Sequence, residues 1–295
     1  MYPTATRIAD LWIGRYSAET PDRVAARSAV AHLKPAVLIT GGSQGIGFAL
    51  AYEFLSSGRV VVLVARDHVK LVSAVTSLGS IGRNKVFTIA YDVTMSDAYE
   101  TIGAKLAEFG CYLDILINNT GTGLAGHFTE HTSEEIDALL TLNIIALTRL
   151  TRLALPDMIA RGQGGIINAA SLGAYVPGPN QAAYYASKSY VLSFTEAIAA
   201  EITGLGVRVC ALAPGPVDTS FHAAMDAERA FYRILLPARS PAQIARSGYR
   251  GFTFGRRVIV SGIFNHLTFA ALKLLPHLIS VPIVKILLRK PKQNS

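Results

Sequence analysis

Residues 36–47 read AVLITGGSQGIG, an apolar run followed at once by a glycine-rich turn. Ala36–Thr40 predicts a buried strand, and the apolar spacing over Gly45–Ser57 predicts a helix directly after the turn. Glycines at 41, 45 and 47 permit positive φ and let the backbone approach a ligand closely. The helix N-terminus adds free N–H groups and a positive dipole end, so the stretch predicts a pyrophosphate site. An ordinary βα turn is the alternative interpretation.

Strands and helices alternate along most of the chain. Further strands are predicted at 60–65, 85–91, 114–118, 164–170 and 206–213, and further helices at 67–78, 96–109, 133–152 and 181–203. This alternation predicts an α/β fold with a doubly wound, Rossmann-type parallel sheet and right-handed crossovers. We expect an N-terminal extension with a short helix over 1–34, one sheet domain over 35–262 and a C-terminal helical tail over 263–295.

The composition of the 295 residues limits the class of protein. Apolar residues make up 51% and charged residues 16%, with a mean hydropathy of +0.35. These values exclude a disordered chain and favour a deeply buried sheet, a lipid-contacting part, or both. Two cysteines, Cys111 and Cys210, exclude a disulfide framework and a cysteine-rich metal site. Because the first twenty residues also lack the apolar core of a secretory signal, we expect a cytoplasmic protein.

The net charge of +8 is unevenly distributed. Residues 229–295 hold twelve Lys or Arg and no acid, so the remaining 228 residues have 16 basic and 20 acidic groups, a net charge of −4. A basic segment attracts nucleic acid, anionic lipid or phosphorylated ligands. Because the basic residues alternate with Leu, Ile, Val and Phe, we expect a membrane surface and no nucleic acid.

The tail after Gly262 is apolar but unsuited to spanning a membrane. Lys273 and Lys285 interrupt the apolar run, and Pro276 and Pro282 interrupt the helix. We predict two short amphipathic helices. They either lie on a membrane surface, cover the mouth of a substrate site, or pack on a second subunit, and the charge slightly favours the membrane.

The residue after the second strand indicates which dinucleotide is bound. Arg66 lies 19 residues after Gly47, where an acidic residue holds the ribose of NAD and an arginine suits the 2′-phosphate of NADP. Asp67 follows, but it also suits the N-terminus of the next helix. We therefore favour NADP(H) over NAD(H).

Residues 182–188 read AAYYASK and open a predicted helix. Tyr184 and Lys188 are four residues apart, hence on one helical face. An ammonium beside a phenol favours the phenolate and lowers its pKa toward the range useful for proton transfer. Tyr185 is the competing tyrosine, but it points about 100° away on the helix. Ser171 follows another strand and suits either a substrate carbonyl or a helix cap.

Amides and a proline-rich loop complete the candidate set. The end of a strand carries two amides, Asn118 and Asn119, which can tie the following loop to neighbouring strands. Asn143 is an amide within an apolar helix and must be hydrogen-bonded. Asn143 would hold a water or a local distortion of the helix. The sequence PGPVDT at 214–219 follows the last strand, and its two prolines stiffen the loop.

Taken in order, these motifs resemble the short-chain dehydrogenase/reductase family over about residues 35–262. The motifs are TGGSQGIG at 40–47, Asp92-Val93, NNTG at 118–121, Asn143, Ser171, Tyr184-x-x-x-Lys188 and PGPVDT at 214–219. The resemblance implies hydride transfer to or from a nicotinamide without a metal. It implies that Tyr184 is the general acid or base, that Lys188 lowers its pKa, that Ser171 orients the carbonyl and that Asn143 holds a relay water.

The resemblance also implies a set of cofactor-binding residues. They are Gly41, Ser43, Gly45 and Ile46 at the pyrophosphate, Arg66 at the 2′-phosphate, Asp92 and Val93 at the adenine, Asn119 at the adenosine ribose, Lys188 at the nicotinamide ribose, and Pro214, Val217 and Thr219 at the nicotinamide. Tyr184 also lies at the cofactor.

Apolar residues at 220–236 predict a lid helix. Together with Leu172, Tyr175 and Val176, this helix indicates a lipophilic substrate. The equal alternative is that these apolar residues pack in a core or between subunits. We therefore predict an NADP(H)-dependent oxidoreductase for the carbonyl or secondary alcohol of a lipophilic molecule, such as a 3-oxoacyl or steroid-like ketone, in lipid metabolism. We expect a homo-oligomer. The rival hypothesis is a non-catalytic dinucleotide-binding regulator or membrane-surface interaction protein of the same fold.

Overall fold

The computed structural model describes residues 19–82, 84–219 and 238–288. Its strands are β1 (Lys34–Thr40), β2 (Val60–Ala65), β3 (Val86–Ala90), β4 (Cys111–Asn118), β5 (Gly165–Ala169), β6 (Arg208–Ala213) and β7 (Val258–Val260). All pair in parallel in one sheet of order β3-β2-β1-β4-β5-β6-β7. This arrangement confirms the predicted doubly wound α/β fold.

Helices cover both faces of the sheet. They are α1 (Pro21–Ala29), α2 (Gly45–Ser56), α3 (His68–Leu78), α4 (Ala98–Glu108), α5 (Ser133–Leu140), α6 (Leu147–Arg161), α7 (Ala182–Glu201), α8 (Pro241–Thr253), α9 (Ile263–Leu274) and α10 (His277–Leu287). Successive residues of β1 enter different layers: Val37 packs with Leu50 and Ile244, whereas Leu38 packs with Leu150. A strand covered on both faces has no need of polar positions, which explains the unbroken apolar run.

The order of the strands creates the site. β1 pairs with β2 on one side and with β4 on the other, so the direction of winding reverses between β1 and β4. The loops that follow these two strands diverge and leave a crevice at their carboxyl ends, where open α/β sheets bind ligands. The glycine turn follows β1, and the Asn118-Asn119 pair ends β4.

The prediction of one regular helix over 133–152 is wrong, because the helical stretch ends later and is interrupted by a π-helical turn. The structure has α5, then one π-helical turn over Thr141–Ala146, then α6 as far as Arg161. Residues 133–161 form, among the described residues, a helical stretch long and apolar enough to cross a membrane. It packs in the fold with Leu150, Ala154 and Met158 buried.

Two strand starts also differ from the prediction. β4 begins at Cys111 because Lys34–Ala36 pairs with Cys111–Leu113, and the register then shifts after Ala36. β1 accordingly begins at Lys34 and includes Pro35.

Buried amides join the central strands to the helices behind them. The Asn118 Nδ2 donates to Asn168 Oδ1 at 2.9 Å and to Thr151 Oγ1 at 3.1 Å. The Asn168 Nδ2 donates in turn to Thr195 Oγ1 on α7 at 3.0 Å. The predicted tie between neighbouring strands is confirmed for Asn118, and the chain of bonds fixes α7 relative to β5.

The terminal segments pack on the sheet domain. In α1 the guanidinium of Arg27 donates to the Arg161 carbonyl at 3.3 Å. The two predicted tail helices are present as α9 and α10, separated at Pro276. The predicted lid helix at 220–236 lies outside the described residues. The boundaries at 34/35 and 262/263 stay predictions.

Candidate active site

A cavity of about 520 Å³ opens at the carboxyl ends of the central strands. It brings together twelve of the predicted site residues: Gly41, Ser43, Gly45, Ile46, Arg66, Asn119, Ser171, Tyr184, Lys188, Pro214, Val217 and Thr219. Three predicted residues are not among those that line it: Asn143, Asp92 and Val93. The polar and glycine motifs are therefore parts of a single site.

The glycine turn fits a dinucleotide pyrophosphate. Gly41 and Gly45 have φ of +64° and +59°, a backbone conformation that L side chains rarely adopt. A Cβ added to Gly47 would lie 2.3 Å from the Gly41 carbonyl oxygen, so the turn closes only with glycine there. Gln44, the N-cap of α2, makes no side-chain cap bond within the described residues. The first N–H groups of α2 thus remain available for an anion.

Thr40 and Asn119 hold this turn against the loop after β4. The Thr40 Oγ1 accepts from the backbone N–H of Asn119 at 3.0 Å and of Thr120 at 3.1 Å. The Asn119 Nδ2 donates to the carbonyls of Thr40 and Gly41 at 3.1 and 3.3 Å. Asn119 therefore positions the turn in addition to lining the cavity.

Arg66 is the basic group at one end of the cavity. Its side chain is exposed, and its guanidinium lies 3.7 Å from the Asp92 carboxylate. Asp67 caps α3, since its Oδ1 accepts from the Lys70 N–H at 3.0 Å, and this bond lowers the pKa of the Asp67 carboxyl. Asp92 binds its own loop through Thr94, with bonds of 2.9 and 2.8 Å.

Tyr184, Lys188 and Ser171 meet at the end of β5. The Lys188 Nζ donates to the Ala169 carbonyl at 2.8 Å and lies 5.9 Å from the centroid of the Tyr184 ring. The Ser171 Oγ accepts from the Gly173 N–H at 3.1 Å, so it also caps the short helix that follows. A hydrogen bond joins the Ser171 side chain to the Tyr184 phenol.

Burial controls the protonation of both ionisable groups. Desolvation raises the pKa of Tyr184 to about 12, and the bond from Ser171 only partly opposes it. Desolvation also lowers the pKa of Lys188 to about 8. With the chain's own groups alone, the expected lowering of the Tyr184 pKa by Lys188 is therefore wrong.

Asn143 lies behind the cavity wall, in the π-helical turn. Its Nδ2 donates to the Thr122 carbonyl at 2.8 Å and to Ser187 Oγ at 3.0 Å, and its Oδ1 accepts from the Thr122 N–H at 2.9 Å. Both N–H groups of the amide are thus engaged by protein. The geometry makes its side chain a link between the loop after β4 and α7, and a bound water stays a prediction.

The loop at 214–219 closes the cavity beside the glycine turn. A Cβ on Gly45 would lie 3.4 Å from the Thr219 Cγ2, and the Pro214 carbonyl accepts from the Leu172 N–H at 2.9 Å. The buried Asn265 of α9 supports this loop, because a Cβ on Gly215 would lie 2.5 Å from the Asn265 Oδ1.

The tail supplies cavity residues that the sequence analysis missed. They are Thr268 of α9 and Val284, Leu287 and Leu288 at the end of α10. Val284 and Leu288 form a buried cluster with Val176 of the sheet domain. Val281, Val284 and Leu288 have the spacing of one helix face, but nothing in the sequence indicated what that face would cover.

A glycine turn, a Tyr/Lys pair and a serine lie together at the carboxyl ends of a parallel sheet. A family model described as short chain dehydrogenase matches residues 35–230, and the chain belongs to this family. Members act on alcohol or ketone groups with a nicotinamide dinucleotide.

Known proteins resemble the chain over its sheet domain. It is 37% identical over 194 residues to a short chain dehydrogenase of Pseudocercospora fijiensis, with 64% of this chain and 62% of that protein covered. It is 32% identical over 188 residues to the very-long-chain 3-oxoacyl-CoA reductase of Bos taurus, covering 62% and 59%. A Sphingobium yanoikuyae short-chain dehydrogenase solved with NADPH superposes with a TM-score of 0.69 and 31% identity, covering 77% and 87%.

The lowered pKa of Lys188 predicts a pH-dependent stability. Between pH 8 and 10.5 the unfolded chain binds a proton that the folded chain has released, so the free energy of unfolding rises with pH in this window. We expect the wild-type protein to gain stability relative to Lys188→Met between pH 7.5 and pH 10, as measured by urea denaturation. Lys105→Met, on the exposed face of α4, is the matched control. Its free energy of unfolding should change with pH as that of the wild type does. If the free energy of unfolding of Lys188→Met also changes with pH as that of the wild type does, the lowered pKa of Lys188 in the folded protein is contradicted.

Proposed function

We propose that the protein is an NADP(H)-dependent oxidoreductase that interconverts a carbonyl and a secondary alcohol on a lipophilic small molecule. The observation that carries this proposal is that Tyr184, Ser171 and Lys188 line the same cavity as the glycine turn and Arg66. A protein that only binds a dinucleotide has no need of this trio.

The chain's own residues supply the proton chemistry. When bound, the nicotinamide supplies or accepts the hydride. In reduction the Tyr184 O–H donates its proton to the carbonyl oxygen, which the Ser171 hydroxyl orients and stabilises. The Lys188 ammonium, held by the Ala169 carbonyl, stabilises the phenolate that results. In oxidation the phenolate takes the proton back from the alcohol.

Replacing Tyr184 with phenylalanine tests this assignment. Because Tyr184→Phe removes the donated proton but keeps the ring, we expect NADPH-dependent turnover to fall about 10²–10⁴-fold, the usual contribution of a general acid. The dissociation constant of NADPH, measured by fluorescence titration, should stay within about threefold. Tyr52→Phe, an exposed tyrosine on α2 outside the cavity lining, is the control and should keep its activity. Turnover that persists in Tyr184→Phe would refute the mechanism.

Arg66 supports NADP(H) as the cofactor. It lines the cavity at the end of β2, where an acidic residue would hold the ribose hydroxyls of NAD. Asp67, the nearest acid, is used in the cap of α3. A 2′-phosphate would give the exposed guanidinium of Arg66 a second partner of opposite charge, in addition to Asp92.

Arg66→Ala tests the cofactor preference. We expect the dissociation constant of NADPH to rise about tenfold or more, since a charge-assisted contact is lost, while that of NADH changes less than about twofold. Arg246→Ala, which removes an exposed arginine outside the cavity, is the matched control. Tighter binding of NADH than of NADPH by the wild-type protein would sink the assignment.

The apolar end of the cavity supports a lipophilic substrate. Leu172 and Val176 line it from the loop after β5, and Val284, Leu287 and Leu288 line it from α10. Such a wall favours an alkyl or ring system over a charged ligand. The bovine relative, a very-long-chain 3-oxoacyl-CoA reductase, is a precedent for such a substrate. We place the activity in lipid metabolism on these grounds.

The outer faces of α9 and α10 support attachment to an anionic lipid surface. They expose Phe264, Leu267, Leu274, Leu278, Ile279, Ile283 and Ile286, with Leu278 87% exposed. Lys285 lies among them, and residues 238–288 contain no acid. An apolar surface of this kind beside unopposed positive charge suits the boundary between headgroups and acyl chains. α10 would then face the substrate with one side and the bilayer with the other.

Flotation with lipid vesicles tests the attachment. We expect the wild-type protein to float with vesicles containing about one third phosphatidylserine, and less with pure phosphatidylcholine, because both apolar burial and charge contribute. Leu278→Ser combined with Ile286→Ser should reduce the bound fraction severalfold. Val69→Ser, an equally exposed apolar residue on α3, is the control and should float like the wild type. A wild-type protein that stays unbound, or a double variant that floats equally well, would contradict the proposal.

We also propose a homo-oligomer. The outer faces of α6 and α7 expose Leu153 and Tyr190, and the π-helical turn between α5 and α6 exposes Ile145. These side chains suit a contact with a second copy, and a monomeric mass by light scattering would contradict the homo-oligomer.

The rival function, a non-catalytic regulator, is supported if no carbonyl compound is turned over while NADPH still binds.

A further inference from the structure

Gln181 is a buried polar residue in the cavity that the proton chemistry does not use. It is only 4% exposed, it lines the cavity and it stands three residues before Tyr184, directly before α7. It occupies the N-cap position of α7, yet its side chain makes no cap hydrogen bond there. Within the described residues its amide has no hydrogen-bond partner in the protein.

Part of the wall of the cavity that Gln181 lines is apolar. Val176 lies in the cavity wall nearby in sequence, and it packs with Val284 and Leu288 from α10. The Gln181 amide atoms are not among the fully enclosed polar atoms without a partner, so they reach the open space of the cavity. A largely buried polar group is normally hydrogen-bonded. The cavity is the side from which a partner can come.

The loop that carries Gln181 is held in one conformation. Asn180 adopts φ +66°, which is uncommon outside glycine, and its carbonyl accepts from the Gly126 N–H at 2.8 Å. The Tyr185 ring packs on Gly178 so closely that a Cβ there would lie 2.2 Å from it. The Gln181 backbone N–H donates to the Gly178 carbonyl at 3.0 Å. The backbone that carries the Gln181 side chain is therefore held in place before any ligand arrives.

We propose that Gln181 binds a second oxygen function of the substrate, so that the preferred substrate is a lipophilic ketone with a carbonyl group close to the reacting one. This inference rests on the proposed function and names its substrate class more closely: a 3-oxo ester, thioester or related 1,3-dicarbonyl compound. The reacting carbonyl meets Tyr184 and Ser171, the second carbonyl accepts from the Gln181 amide, and the alkyl chain lies against Val176 and Leu288. Gln181 makes no bond in the reaction and acts by selecting the substrate.

A matched pair of ketones tests this role. Ethyl 3-oxodecanoate and 2-nonanone share a heptyl ketone and differ in the ester group. Gln181→Met keeps the length of the side chain and removes the amide. We expect kcat/KM for the ester to fall about tenfold or more, mainly through KM, while kcat/KM for 2-nonanone and the dissociation constant of NADPH change less than about twofold, because only the ester has a group for the amide to bind.

Two other results would overturn the inference. If kcat/KM of Gln181→Met falls equally for both ketones, Gln181 is a structural residue. If kcat/KM falls for neither ketone, the amide only binds water. Should Gln181→Met fail to fold, Gln181→Glu replaces it, since a carboxylate has the same shape but does not donate to an ester; the same selective loss is expected.

The proposed function and this inference fail separately. If the wild-type protein reduces neither ketone, the proposed function is refuted. Gln181 is then judged by calorimetric binding of the same two compounds to the NADPH-bound protein. Tighter binding of the ester that Gln181→Met removes would support the inference, and equal affinities would overturn it.

Discussion

The site depends on one buried contact, the hydrogen bond from the Lys188 Nζ to the Ala169 carbonyl. It joins the second turn of α7 to the last residue of β5 over 2.8 Å and keeps the amine beside the Tyr184 ring. Desolvation at this depth lowers the pKa of Lys188 to about 8 and raises that of Tyr184 to about 12, so each group disfavours its charged form. A bound oxidised nicotinamide adds positive charge next to the phenol, which favours the phenolate. On this account the Tyr184 phenol stays protonated in the free protein. It loses its proton more readily when the bound nicotinamide and the Lys188 amine act on it together.

Much of the fold followed from local patterns. The apolar run at 60–65 is β2 with the predicted bounds, and the glycine turn lies between β1 and α2 as expected. These predictions succeeded because a strand buried on both faces is apolar throughout, and because a turn that approaches phosphates needs glycine. Twelve of the predicted site residues line one cavity for the same reason: motifs at the ends of parallel strands share one edge of the sheet.

The failures concern features that depend on tertiary contacts. The π-helical turn at Thr141–Ala146 reflects the bonds of Asn143 to Thr122 and Ser187, which no helical periodicity encodes. The sign of the Tyr184 pKa shift depends on burial, which the four-residue spacing to Lys188 does not reveal. The α10 wall, with Val284 and Leu288 on Val176, required knowing where the tail returns to the domain. Gln181 was overlooked because a glutamine at a helix start is usually a solvated cap.

The most direct test is the titration of the Tyr184 phenol itself, followed by ¹³C NMR of ring-labelled tyrosine and assigned by its loss in Tyr184→Phe. In the free protein the account predicts a pKa of about 12. With NADP⁺ bound it predicts a pKa below the ordinary tyrosine value of 10.0, and a much smaller drop in Lys188→Met. A phenol that still titrates near 12 with the dinucleotide bound, in both proteins alike, would contradict the claim that the amine and the bound ring together release its proton.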